Sequence, residues 1–267
     1  MSLPSPVTYY DLDNDSVVAR GVFFTDEQLT EMLEGPVKDL LLDSQGKAEV
    51  EEMLAGLAST DFETGELAAI LEPENNFEDW LIGEAIAEVF VCEFCACEYP
   101  WPTSRDLKNP KSSPAGCDMT GFQVVEDQDH PYRFSFGEVK TSTDTSSPPS
   151  VMNGLEKQII GLRDSHKIKA DLVRYLAFHA KDKDWEHKFR SSFIRYMRSK
   201  CKDIAIFGVL VRDTEINESD IGTKIERFSD GCPDGTSITI YALYIPDGAI
   251  LDLPDRVQMA LGGGDGS

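Results

Sequence analysis

The chain has 267 residues, is 41% hydrophobic and 9% aromatic, and carries a formal net charge of −23. That length and apolar content can build one sizeable core. No run of eighteen apolar residues occurs, which argues against an α-helical membrane span, and the bulk acidity argues against polyanion binding by net charge alone.

The start, Met1 to Pro6, has neither a basic region nor an apolar stretch, so no secretory leader is expected. Six cysteines without a disulfide-like framework fit a reducing, cytoplasmic setting. The charge is unevenly placed. Residues 1–100 carry 23 acidic and 3 basic side chains, whereas residues 151–202 carry 13 Lys or Arg against 6 Asp or Glu. The first stretch repels a nucleic acid and the second can accept one.

In chain order, Val17-Val18 and Val22-Phe23-Phe24 are strand material among acidic turns. Thr25 is placed as the N-cap of a helix with Leu29, Met32 and Leu33 on one face, which Gly35-Pro36 should stop. Short helices are expected near 37–43 and 47–58. Residues 1–76 thus read as an acidic N-terminal helical region. Its surface mimics DNA, restrains an activity, docks a basic partner or is simply solvated. Helix 77–97 follows, with Leu81, Ile82, Ala85, Ile86, Val89 and Phe90 at helical spacing and Glu84 and Glu88 on the flank of that stripe. Of the two carboxylates, Glu84 is the one favoured to reach a site, with plain surface carboxylates the equal alternative for both.

Cys92, Cys95 and Cys97, with Cys117, have the residue type for zinc but no recognised knuckle spacing, and no histidine lies near. Small buried apolar groups are the simpler reading. Pro100 to Pro114 is a loop carrying Lys108 and Lys111 that leads into the next strand.

From Gly116 to Lys140 the pattern changes. Met119 to Val125 reads as a short strand headed by Asp118, and Tyr132, Phe134 and Phe136 alternate with Arg133, Ser135 and Gly137 in a second. Continuing that alternation puts Glu138 and Lys140 on the face of Phe134 and Phe136. Charges on a buried strand face are costly unless they serve each other, a metal or a reaction. Two carboxylates on neighbouring strands, with the Val139 carbonyl between, supply oxygen ligands for Mg²⁺, or Mn²⁺ in its place. Such a cation polarises a phosphate and acidifies a water, and Lys140 orients that water or offsets transition-state charge. A purely structural Glu138–Lys140 pair is the bland alternative.

Beyond Lys140, residues 141–150 read as a polar, mobile link. Residues 151–164 form a helix with Lys157, Gln158 and Arg163. Residues 167–200 are helical and basic, with Arg190, Arg195, Arg198, Lys200 and Lys202 suited to phosphate contact or partner docking. His166, His179 and His187 share no metal spacing. Ile204 to Val211 is a continuous apolar run, as in a central buried strand, and Thr236 to Ile245 is a further strand. A flexible Gly-rich tail ends the chain.

Gly116-x-Asp118 followed by Gly137-Glu138-Val139-Lys140, with the glutamate-bearing helix before it, resembles the PD-(D/E)XK nuclease superfamily; Cys117 stands where a proline is usual. The layout of most of the chain resembles the HamA family, nuclease subunits of Hachiman anti-phage defence systems. The resemblance implies an α/β fold with a restriction-endonuclease-like core, its mixed sheet flanked by helices. That core is expected over residues 77–250, with a basic helical insertion at 166–202 and a C-terminal segment at 251–267. It also implies a Mg²⁺-dependent deoxyribonuclease with Asp118, Glu138, Lys140 and Glu84 catalytic and Asp118, Glu138 and the Val139 carbonyl holding the metal. Its partners would be DNA and a superfamily 2 helicase subunit, HamB. Gln158 either faces the cleft, as in the resembled fold, or is an ordinary exposed amide. The competing classes are a catalytically inactive nuclease-like adaptor that regulates the helicase, and an acidic DNA mimic. An intact charged cluster speaks against the first. The second needs acidity spread over the chain, and here it ends near residue 100.

Overall fold

The computed structural model describes residues 3–262 apart from 15, 55, 58–59, 71–76, 103–104 and 106–115. The chain opens with strands β1 (Val7–Asn14) and β2 (Val17–Phe23), then helices α1 (Asp26–Met32), α2 (Lys38–Leu41), α3 (Ser44–Leu54), α4 (Asp61–Ile70) and α5 (Asp79–Phe94). Strands β3 (Cys97–Glu98), β4 (Met119–Val124) and β5 (Tyr132–Ser142) follow, then helices α6 (Met152–Asp164), α7 (His166–Ala180) and α8 (Glu186–Arg198). Strand β6 (Ile204–Arg212), short helices α9 (Ser219–Gly222) and α10 (Ile225–Ser229), strand β7 (Thr236–Tyr244) and helix α11 (Ala249–Gly262) complete it.

Among the described residues, seven strands form one mixed sheet in the order β1-β2-β7-β6-β5-β4-β3. Its centre, β2-β7-β6-β5, is parallel, and both edges are antiparallel. Every residue of β6 is buried, because helices cover both faces of a parallel sheet and each side chain meets one of them. Ile204, Ile206 and Leu210 join the core under α6, α7 and α8. Ala205, Phe207, Val209 and Val211 join the opposite core, with α1, α5 and α11. The period of two in a strand divides one apolar run between two layers.

Thr25 caps α1 as its sequence suggests. Its hydroxyl accepts from Gln28 N, and the Gln28 side chain accepts from Thr25 N at 2.9 Å, a reciprocal box. Gly35-Pro36 stops that helix as expected: Gly35 takes non-helical backbone angles (φ −111°, ψ −110°), and beyond this kink a second helical segment runs through Val37 into α2.

The division of the chain also differs from the expected one. Residues 1–76 are not a purely helical region: β2 runs parallel to β7, with Val17 opposite Ile238 and Phe23 opposite Tyr244. Val17 and Ala19 pack into one core and Val22 and Phe24 into the other, burial on two faces that only a place inside a sheet provides. Residues 166–202 hold α7 and α8, whose Leu172, Leu176 and Tyr196 pack with Phe134 and Phe136 of β5. Helix α11 buries Ile250, Leu253 and Val257 in the core shared with α5, so the C-terminal segment is part of the same body.

The polar stretch after β5 is an ordered turn. Asp144 accepts hydrogen bonds from Ser146 N (3.0 Å), Ser146 Oγ (2.7 Å) and Ser150 N (3.0 Å), which holds its carboxyl far below the usual range. The Gly-rich tail at 263–267 lies outside the described residues, as do Lys108 and Lys111.

Candidate functional site

The site lies where two strands of unequal reach part company. Strands β4 and β5 pair antiparallel from Val124 opposite Tyr132 to Met119 opposite Gly137. Strand β5 continues to Ser142, held on its other side by β6. Among the described residues, therefore, its outer edge has no ladder partner from Glu138 onward. Unpaired backbone groups need other partners. Val139 finds both from side chains. Its N–H donates to Asp118 Oδ2 at 2.7 Å, and its C=O accepts from Lys140 Nζ at 2.8 Å. Asp118, the residue immediately before β4, thus acts as the missing ladder acceptor.

Glu138 is 3% exposed, and its Oε2 has no hydrogen-bond partner among the described residues. Lys140 Nζ stands 3.8 Å from Glu138 Oε2 and 4.0 Å from Asp118 Oδ2. Burial first, then the neighbouring Asp118 charge, pushes Glu138 up to about 8, with Lys140 pulling the other way. Asp118 is also raised by burial, an effect opposed by its bond from Val139 N and by Lys140.

Glu84 reaches the same place from the other side of the sheet. Lys140 projects toward α6, where a Cβ on Gly154 would lie 4.0 Å from its Cε. Helix α5 crosses the opposite face of β5, and Gly83 makes the crossing tight: a Cβ there would lie 2.0 Å from Thr141 Oγ1. The next residue, Glu84, is raised to about 8 by burial, then by the charge of Asp118, with Lys140 opposing. Glu88 is also raised to about 8, by burial, and its charge acts on Glu84 but not on Asp118 or Lys140 directly. Of the two, Glu84 is the one within electrostatic reach of Asp118 and Lys140.

Two carboxyls therefore flank one ammonium at the strand edge, and Glu84 lies near enough to feel its charge. Among the described residues, no three His, Cys, Asp or Glu side chains form a ready-made metal cage. The set expected from the sequence is of another kind, with two side-chain oxygens and one backbone oxygen. Its chemistry suits a hard divalent cation: the donors are all oxygen, one buried carboxylate oxygen lacks a partner, and the acids exceed the single lysine. No protein-family model matches the chain, and no curated protein matches it.

Cys117 does not join Cys92, Cys95 and Cys97. Cys97 lies in the core with α5, whereas Cys117 lies in the opposite one. Burial raises both thiols to about 12. Cys117 bonds Met119 O at 3.1 Å and Thr120 Oγ1 at 3.0 Å.

Two other expected positions have different fates. Gln158, on α6, has a buried Oε1 without a hydrogen-bond partner among the described residues. Arg195 is not free for phosphate: it pairs with Asp127 at 2.6 Å and Asp203 at 2.7 Å, tying α8 to the β4–β5 turn and to the start of β6. Sequence reading missed Gly83, whose role is visible only once α5 lies on β5. It also missed Arg212 and Asp220, both fully buried and 3.4 Å apart. The one available signal was an arginine ending an otherwise apolar strand.

Proposed function

We infer that this protein is a divalent-cation-dependent phosphodiesterase that cleaves DNA, built on a PD-(D/E)XK-type core. The observation that carries the reading is the Val139 peptide, whose two polar groups are held by Asp118 and Lys140 beside a buried Glu138. Asp118 and Glu138, with the Val139 carbonyl, are the residues that would hold Mg²⁺ or Mn²⁺. When bound, that cation supplies phosphate polarisation and a water of lowered pKa.

The chain's own groups do the rest. Asp118 fixes the edge of β5 so that the carbonyl and Glu138 keep a set geometry. Lys140, with 26% of its side chain exposed, is able to hold the attacking water or to offset charge on the phosphate. Glu84 closes the acidic ring from α5. The net-positive segment 151–202 lies on the face toward which Lys140 projects, where a duplex backbone can be neutralised.

The biological role rests on the resemblance to Hachiman nuclease subunits: an anti-phage effector in the cytoplasm, delivered to DNA by a superfamily 2 helicase partner. Plasmid incubated with the purified chain, alone and with that helicase, in Mg²⁺ or EDTA, tests the proposal. Cleavage that needs Mg²⁺ supports it. No cleavage under any condition, with a stable helicase complex, favours the inactive adaptor.

A further inference from the structure

The atoms around Lys140 Nζ repeat a set already described. They are Val139 O at 2.8 Å, Glu138 Oε2 at 3.8 Å and Asp118 Oδ2 at 4.0 Å. These are the same residues that would take a divalent cation. A lysine committed to a carboxylate would close to about 2.8 Å of it. Lys140 instead spends its one close contact on the carbonyl of the adjoining residue and stands off both acids. It is a shared counter-charge rather than an ion-pair partner.

We propose that the Lys140 ammonium is the resident cation of this site, holding the Val139 carbonyl and the two carboxylates until a divalent cation displaces it to the rim. The inference rests on the metal-dependent reading above and deepens it. One ammonium and one divalent ion cannot both occupy the space between these oxygens, because like charges at such separations repel strongly away from bulk water. Lysine suits the exchange. Its ammonium is compact, its four-carbon stem is flexible, and its side chain already reaches solvent at 26% exposure. Gly154 of α6 leaves room beside Cε for the stem to swing.

The exchange couples two parts of the machinery. Without a divalent cation the lysine is turned inward onto its own backbone, and neither the metal position nor the rim amine is set for phosphate chemistry. Cation entry readies both at once. Removing the lysine's charge should therefore strengthen cation binding, although it removes a group the reaction needs.

The test is calorimetric titration of Mn²⁺ into wild-type protein, Lys140→Met and Lys140→Gln without DNA, each checked for folding by thermal melting. Both variants should bind Mn²⁺ at least about tenfold tighter than wild type. Labelling of the wild-type Lys140 amine by acetic anhydride, followed by mass spectrometry, should quicken when Mn²⁺ is added. Equal Mn²⁺ affinity in all three proteins would overturn the exchange and leave the metal site standing. Unchanged labelling at saturating Mn²⁺ would do the same. Failure of every protein to bind Mn²⁺ would overturn both.

Discussion

Gly83 and Thr141 touch so closely that a Cβ on the glycine would lie 2.0 Å from the threonine hydroxyl oxygen. That contact sets the height of α5 above β5, and with it the position of Glu84 beside Asp118. Gly83→Ala should force the helix outward and destabilise the protein by about 1–3 kcal/mol. Gly83→Ala,Thr141→Ala should recover part of that loss, because the clash is with the threonine side chain. Thermal or urea unfolding of the single and double variants checks this; a Gly83→Ala protein as stable as wild type would refute it.

Asp118 has two separable duties, one structural and one chemical. Asp118→Asn keeps an oxygen for Val139 N–H but loses the charge. Asp118→Ala loses both and leaves a backbone donor at the strand edge, at a cost of about 1–3 kcal/mol. The asparagine variant should therefore unfold close to wild type yet lose at least about 100-fold in Mg²⁺-dependent cleavage. The alanine variant should be both inactive and less stable. Equal stability of the two would show that the hydrogen bond to Val139 does not matter for folding.

Stability should depend on pH through the buried acids. Glu138 and Glu84 stand at about 8 in the folded protein against an ordinary 4.5. Between those values the folded state holds protons that the unfolded state has released. Their contribution is thus fully present below about 4.5 and is lost as pH rises to 8. Above that, nothing further changes. In EDTA, wild-type protein should melt at lower temperature at pH 8 than at pH 6, and Glu138→Gln should flatten the slope. A variant with an unchanged slope would place the pH dependence elsewhere.

Much of this site was legible because it is local. Asp118, Glu138, Val139 and Lys140 lie on one hairpin, and the period of two fixes their faces. Thr25 announced its cap for the same reason. What stayed hidden depends on contacts distant in sequence. Val17 meets Ile238 across a parallel pairing that no local pattern encodes, so β1 and β2 were read as part of an acidic front. Asp144 gathers three donors within six residues, yet its segment is made only of small polar residues and prolines, a composition that also describes a loose linker. Arg195 has the spacing of a phosphate contact, and only the fold reveals that Asp127 and Asp203 already hold it.

That last point divides the basic surface. Arg198 and Lys200, near the end of α8, make no ion pair among those described, whereas Arg195 makes two. Arg198→Glu,Lys200→Glu should weaken DNA binding and reduce its salt dependence while leaving the fold intact. Arg195→Glu should lower the melting temperature, since it sets like charges beside Asp127 and Asp203. Unaided duplex binding should be weak and fall steeply with salt. Fluorescence anisotropy on a labelled duplex across salt concentrations, with melting curves, checks all three.

The central claim is that the open edge of β5 cuts phosphodiester bonds. The most direct test is the rate of cleavage of a labelled duplex in Mg²⁺ by wild-type protein and by Glu138→Ala,Lys140→Ala, with the helicase present and both proteins verified as folded. The account predicts cleavage by wild type, abolished by EDTA, and none by the variant. A folded variant that cuts at the wild-type rate would contradict it.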